Sequence, residues 1–341
     1  MNTALPEIYF CPDPPAFERL DSADIAPAIR AEIRRLCRRD DYHGWIIGLF
    51  GGLWAIGGSA SLAGHGFLMQ LAGCALSVTA LLGCSIALHE ASHRLLFRNA
   101  MLNEAAGFLC GIPVLVPVSA FRTNHWLHHA RRGSGAERTE ETLDFALFRT
   151  LPIYCLGLLI KSFGFITALP VIAIVQARRS VRIRVLGEYA LLIGAVVFAA
   201  REFALPALWR VWGLPLLITA VLSQVRAVAE HGLTAKGNVF TASRTVVSSR
   251  VLEVLMCNIN YHLEHHLFPN LPWYNLPKAH ALLREEYRRT GASVYRSYRR
   301  FFLDFLHATW RGIRPRARLI SIPRDIDPAR SGSHGSLIRR S

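Results

Sequence analysis

NYHLEHHLFPNLPWYNLP, residues 260–277, places His262, His265 and His266 at i, i+3 and i+4. On a helix all three imidazoles leave one face together, which is a metal-ligand arrangement. A single histidine on an apolar face is ordinarily a core residue with one hydrogen bond. Here the cluster recurs. His125, His128 and His129 in NHWLHH repeat the spacing, His89 and His93 in HEASHR sit one turn apart, and His231 in AEHG adds a ninth. Nine of the 14 histidines fall in four short patches, a pattern core packing does not produce.

The chain has 341 residues, enough for one large domain or two small ones. Hydrophobic residues make up 52% and charged residues only 18%, below the roughly 25% of soluble domains, so the expected class is a membrane protein. The net charge of +15 comes from 39 Lys+Arg against 24 Asp+Glu. In a membrane protein it marks cytoplasmic flanks and anionic headgroups. A nucleic-acid partner is not expected, because the basic residues alternate with apolar spans instead of forming one patch with aromatic platforms. Seven cysteines lie scattered without a C-x-x-C, which suggests neither a disulfide framework nor a zinc ribbon.

Residues 1–21 are Pro-rich and acidic with no apolar core, unlike a secretory signal. Ser22 caps a helix expected to run to Arg39, with Ile25, Ile29, Ile33 and Leu36 on one face. It could lie in the headgroup plane or pack on the core. Residues 45–64 and 67–88 are uncharged runs that each reach the ~20 residues needed to cross a bilayer, with a short turn between. They read as a transmembrane hairpin that starts and ends in the cytoplasm, delivering His89 to that side.

Residues 107–118 are too short to span and contain Pro113 and Pro117, so they skim or re-enter the membrane. A polar loop follows at 133–145. Residues 151–175 are long enough to cross but hold Lys161 and Pro170, and 186–200 and 206–223 follow. For His231 and the last box to rejoin the others, an even number of crossings is needed. Either 186–223 is a hairpin with 151–175 in the interface, or 151–175 is one span and 186–223 a broken one. The first keeps Arg178, Arg179, Arg182 and Arg184 inside and is preferred.

The expected architecture is therefore all-α and integral to the membrane, with about four transmembrane helices in two hairpins and a cytoplasmic helical histidine-box domain. Residues 1–43 form a cytoplasmic segment with the amphipathic helix, 44–300 the membrane domain, and 301–341 a basic tail, partly disordered. Both termini are expected in the cytoplasm.

Imidazole shells suit Zn, Cu, Ni or Fe, so ligand type alone does not name the metal. Eight or nine histidines exceed the positions of one ion, and two metals sharing them is the economical count. In order and separation by apolar spans, HEASHR, NHWLHH and NYHLEHH resemble the three boxes of the integral-membrane fatty acid desaturases, over residues 45–287. The resemblance implies a di-iron centre ligated by His89, His93, His125, His128, His129, His231, His262, His265 and His266, with O2 as co-substrate and a fatty acyl or lipid chain as substrate. No catalytic side chain beyond the ligands is assigned. In one acyl-CoA branch of the group an Asn four residues before the lone histidine helps hold a water on iron, and here that position is Ala227. Trp273 and Tyr274 resemble the bacterial members, which implies a bacterial inner membrane; as interface aromatics they read equally well.

The chain shows no H-P-G-G, no C-x-x-C and no G-x-G-x-x-G, so electrons are expected from a separate ferredoxin-like or cytochrome b5-like donor. A basic face would attract such an acidic partner. Carotenoid or lipid hydroxylases and ketolases use very similar boxes and are the alternative. His89–His93 is also a literal H-E-x-x-H, the zinc peptidase signature, with Asp144 as a third ligand. That reading leaves seven clustered histidines unexplained. A metal transporter should place its ligands inside spans near the midplane, whereas these boxes fall at span ends or in polar loops.

Overall fold

The computed structural model describes residues 25–63, 66–131, 151–232, 234 and 239–310. The Pro-rich start, the Ser22 cap, the 133–145 loop with Asp144, and the tail beyond 310 lie outside the described residues.

Helix α1 (Pro27–Leu36) buries Ile33 completely and packs Ile29 and Leu36 on the core, while Arg34, Arg35 and Arg38 are exposed. Of the two placements open to this amphipathic stretch, packing on the core is the one observed. Helices α2 (Ile46–Ala63) and α3 (Phe67–Ser92) form the first hairpin. They approach closely because small residues meet: a Cβ at Gly73 would lie 2.6 Å from the Gly57 carbonyl oxygen, and one at Gly57 would lie 2.7 Å from that of Gly73. Backbone contact of this kind is how helices associate where lipid removes the hydrophobic drive. Helix α3 begins on the surface, with Phe67 and Leu68 more than three-quarters exposed, and ends enclosed, since residues 86–92 are all buried.

Helices α4 (Ala100–Gly111) and α5 (Val118–Arg131) meet at a 94° bend. The break holds Pro113, Pro117 and Leu115, whose φ of 58° is left-handed. This is the segment expected to re-enter the membrane. Helix α6 (Leu151–Gln176) runs through Pro170, and α7 (Arg179–Glu202) follows after a short break. Helix α8 (Leu205–His231) contains a π-turn at Trp209–Gly213 and ends on the lone histidine.

Among the described residues five helices are long and apolar enough to cross a membrane by length and composition, or six if the bent α4–α5 pair is one span. The expectation of about four rests on laying 151–175 in the interface. Both ends of α6 adjoin elements that carry the boxes. Near its start Leu158 shares a buried cluster with Val228 and Ala229, just before His231. Beyond its end, Arg184 on α7 pairs with Glu104 at 3.2 Å, which Arg122 of α5 also engages.

The segment after α8 is a compact cap: β1 (Arg244–Val246), α9 (Arg250–Leu255), α10 (His262–Leu267), α11 (Leu276–Leu282), α12 (Arg284–Thr290), β2 (Ser293–Tyr295) and α13 (Tyr298–Trp310). The two strands pair in parallel, Thr245 opposite Val294, an addition to the all-α expectation. Residues 301–310, assigned to the tail from sequence, belong to α13, where Phe301 and Phe305 are buried.

Candidate metal centre

All nine predicted histidines converge, in two groups. His89, His93, His125, His129 and His265 form one, and His128, His231, His262 and His266 the other; in each, one ring nitrogen per residue lies within 4.8 Å of all the others. The boxes do not map one to one onto the groups. From i on a helix, i+3 lies ~60° to one side and i+4 ~40° to the other, so positions i+3 and i+4 diverge by ~100°. Hence α5 sends His125 and His129 to the first group and His128 to the second, while α10 sends His262 and His266 to the second and His265 to the first. The rings of His262, His265 and His266, expected to leave one face of a helix together, divide between the two groups through that divergence.

The Nε2 separations are 2.8 Å for His93–His125, 2.9 Å for His125–His129 and 3.0 Å for His129–His265. In the second group they are 2.9 Å for His231–His262, 3.0 Å for His262–His266 and 3.2 Å for His128–His266. Two nitrogens each ~2.1 Å from one ion and at right angles are ~3.0 Å apart. Nε2 of His89 and Nδ1 of His93, His265 and His266 are buried without a hydrogen-bond partner among the described residues. Burial, then neighbouring charge, pushes His93 down to about 3 and holds His265 and His266 well below the usual histidine range. These three rings are therefore held neutral, the state in which an imidazole can take a metal ion. The donor set fits a pair of cations.

The surrounding residues explain how the boxes are held. The last carbonyls of α3 face Arg122, whose guanidinium donates to Ser92 O at 3.0 Å and Ala91 O at 2.9 Å while pairing with Glu104. Asn103 donates to Ala91 O at 3.0 Å. A cation and an amide on the negative end of a helix satisfy acceptors that have no partner within it. The free N-terminus of α5 is capped from α7, where Glu188 accepts from Ser119 N–H at 2.9 Å and from its hydroxyl at 2.6 Å. Ala229 O accepts from the fully buried Arg244, whose guanidinium lies over the Phe301 ring at 4.7 Å. Glu264, inside the third box, accepts from Tyr287 at 2.7 Å, from His280 at 2.5 Å and from Thr245. Despite total burial, which alone raises a carboxyl, charge and hydrogen bonding from His280 with those of Thr245 and Tyr287 hold it below its ordinary value.

Glu90 does not point into the histidine groups as a peptidase base would. Its Oε1 lies 3.3 Å from Nδ1 of His89 and its Oε2 accepts from Trp273 N–H. Trp273 itself is buried, and Tyr274 stacks on His43 with ring centroids 3.9 Å apart, so neither serves as a lipid-facing anchor. Ala227 offers no side-chain donor.

Residues 65–299 match the sequence model of the fatty acid desaturases, which covers more than half of the chain. The chain belongs to the fatty acid desaturase family. This desaturase is similar to the sphingolipid delta(4)-desaturase of Drosophila melanogaster, with 26% identity over 226 residues, 65% of this chain and 67% of the relative. The human sphingolipid delta(4)-desaturase is 27% identical over 235 residues, with the same two coverages. That of Candida albicans is 26% identical over 226 residues, 59% of this chain and 58% of the relative. The desaturase is thus a helical membrane oxidoreductase of lipid metabolism. These relatives are eukaryotic, which lends no support to the bacterial membrane implied by Trp273 and Tyr274.

Sequence reasoning missed Glu104, Arg122, Glu188, Arg244 and Glu264. A detectable signal exists for Glu188 and Glu264: one is a carboxylate at the edge of an apolar run, the other lies inside a histidine box.

Proposed function

We propose that this chain is an O2-dependent desaturase that introduces a double bond into the acyl or long-chain-base portion of a membrane lipid, each histidine group holding one iron. The observation that carries the reading is the convergence of nine imidazoles, six of them buried and three partly buried, from three boxes and α8 into two adjoining groups. Iron bound there supplies what no side chain can, reductive activation of O2 to an oxidant able to take hydrogen from an unactivated methylene. The chain's own task is to fix the rings and keep the substrate dry and oriented. Glu90 and Trp273 orient His89, Arg122 and Asn103 hold the end of α3, and Arg244 fixes the end of α8.

An apolar cavity of about 290 Å³ lined by Trp54, Ile112, Phe203, Val211 and Trp212 offers room for part of a hydrocarbon chain. It lies one layer from the first box: Ile112 follows Gly111, a Cβ at which would meet Leu88, the residue before His89. The sphingolipid named for the relatives is the first substrate class to try. Electrons come from a separate acidic donor docking on the basic side that carries the boxes. That side is the cytoplasm on the arginine rule, with α6 in the interface.

Cells lacking their own activity, expressing the protein or its His265→Ala variant, are fed a labelled saturated fatty acid and a saturated sphingoid base. Products two mass units lighter, present only with the unaltered protein, are expected. Products that gain one oxygen without any alkene would move the assignment to a hydroxylase.

A further inference from the structure

His93 and His129 share a neighbour that metal binding does not use. Trp126, inside the second box, meets His93 edge-on with ring centroids 5.0 Å apart and lies tilted against His129 at 5.8 Å. Both imidazoles belong to the five-histidine group. Phe121 also meets two of these ligands, His125 at 5.3 Å and His89 at 6.3 Å, but it packs on the hydrophobic core. Trp126 is instead partly exposed and follows Arg122 by one helical turn, on the same flank of α5.

That flank is basic. Arg122 at 2.8 Å, Arg184 at 3.2 Å and Arg94 at 4.0 Å all face Glu104, three guanidiniums on one carboxylate. Arg122 is largely enclosed, whereas the side chains of Arg94 and Arg184 are 46% and 54% exposed. Arg39 joins them by donating to the Arg94 carbonyl oxygen at 2.5 Å. One carboxylate does not neutralise this set, so the surface beside Trp126 keeps an excess of positive charge that attracts an acidic protein.

We propose that the electron donor docks here: an acidic one-electron carrier protein seats on Arg94 and Arg184, and its electron enters the five-histidine group through the Trp126 ring. The inference rests on the reading that each group holds an iron. Electron tunnelling weakens steeply with distance, and a π-system in contact with two ligand rings shortens the gap to be crossed. The indole bridges without being oxidised itself. Each docking event oxidises the carrier by one electron and reduces one ferric ion to ferrous. Two such events, with two protons and one O2, balance the two hydrogens taken from the lipid and leave two waters.

The test uses full-length ferric protein in detergent, mixed without O2 or substrate with pre-reduced soluble cytochrome b5 or a plant-type ferredoxin. Stopped-flow absorbance gives the limiting rate of carrier oxidation and the carrier's apparent Kd, and iron per chain is measured alongside. Trp126→Leu, which removes the ring, should slow the limiting rate about tenfold with Kd and iron unchanged, and Trp126→Phe should restore most of it. Arg94→Gln combined with Arg184→Gln should weaken carrier binding about tenfold and flatten its salt dependence while keeping the limiting rate. If Trp126→Leu loses iron, the arginine double variant decides alone. An unchanged limiting rate in iron-replete Trp126→Leu would overturn the proposal, as would an unchanged Kd in the double variant. Failure of both carriers to reduce unaltered protein that holds two irons would also overturn it. Intact carrier binding in a double variant that loses co-purified anionic phospholipid would assign the patch to lipid headgroups instead. Fewer than two irons in the unaltered protein would overturn the di-iron reading and this inference with it.

Discussion

The backbone N–H of Trp273 donates to Oε2 of Glu90 across 3.3 Å, joining positions 183 residues apart. The other carboxylate oxygen lies 3.3 Å from Nδ1 of His89, so one buried acid ties the first box to the continuation of the third. Glu90→Gln preserves the shape but weakens the acceptor that fixes the His89 ring. A fall in product yield of about 10–100-fold with iron largely retained is expected, since outer partners of ligating histidines have effects of that size. Complete loss of turnover with both irons in place would mean that Glu90 handles a proton itself.

His128 and His129 are neighbours in sequence but belong to different groups. Alanine at either should abolish desaturation, yet each should loosen a different iron. Chelator titration of the ⁵⁷Fe-loaded variants should show the five-histidine signal lost first in His129→Ala and the other lost first in His128→Ala. Loss of the same signal in both would contradict the partition.

Topology follows from α6. A reporter fused after Arg184 or after Ser341 should give the cytoplasmic signal, and one inserted between Gly64 and Phe67 the opposite. An outside signal at Arg184 would make α6 a true span.

The metal-free protein should be acid-labile. Burial keeps His93, His265 and His266 neutral when folded, with folded values depressed below the ~6.5 of an unfolded histidine. Below that pH the unfolded chain takes up protons that the folded one refuses, so stability is present above about 6.5 and is lost as pH falls toward 3, the folded value of His93. Each such histidine contributes about 1.4 kcal/mol per pH unit in that window. The thermal midpoint of the iron-free protein in detergent should drop between pH 7 and pH 5, and a midpoint that held steady would exclude the mechanism.

The ligand types and the hairpin of α2 and α3 are legible in the sequence because they are local: histidine spacing on a helix, and apolar runs long enough for a bilayer. The division of labour between His265 and His266 is not, although helix geometry alone requires neighbouring rings to diverge. Whether α6 crosses depends on what covers its ends, and Leu158 meets Val228 only through the fold. Arg244 reads as one more loop arginine until β1 pairs with β2 and carries it under Phe301. Glu104 and Arg122 are 18 positions apart on two helices whose 94° bend decides that they meet. Such pairs have no local periodicity to betray them.

Each histidine group draws on both ends of the chain, and this orders events in time. The first group lacks a donor until His265 is made, 136 residues after His129, and the second awaits His262 and His266. At roughly 5–20 residues per second, the early boxes wait roughly 7–30 s on the ribosome. If each group holds an iron as proposed, neither site is complete before the cap is made, and a product truncated before it would reach the bilayer lacking three of the nine donors.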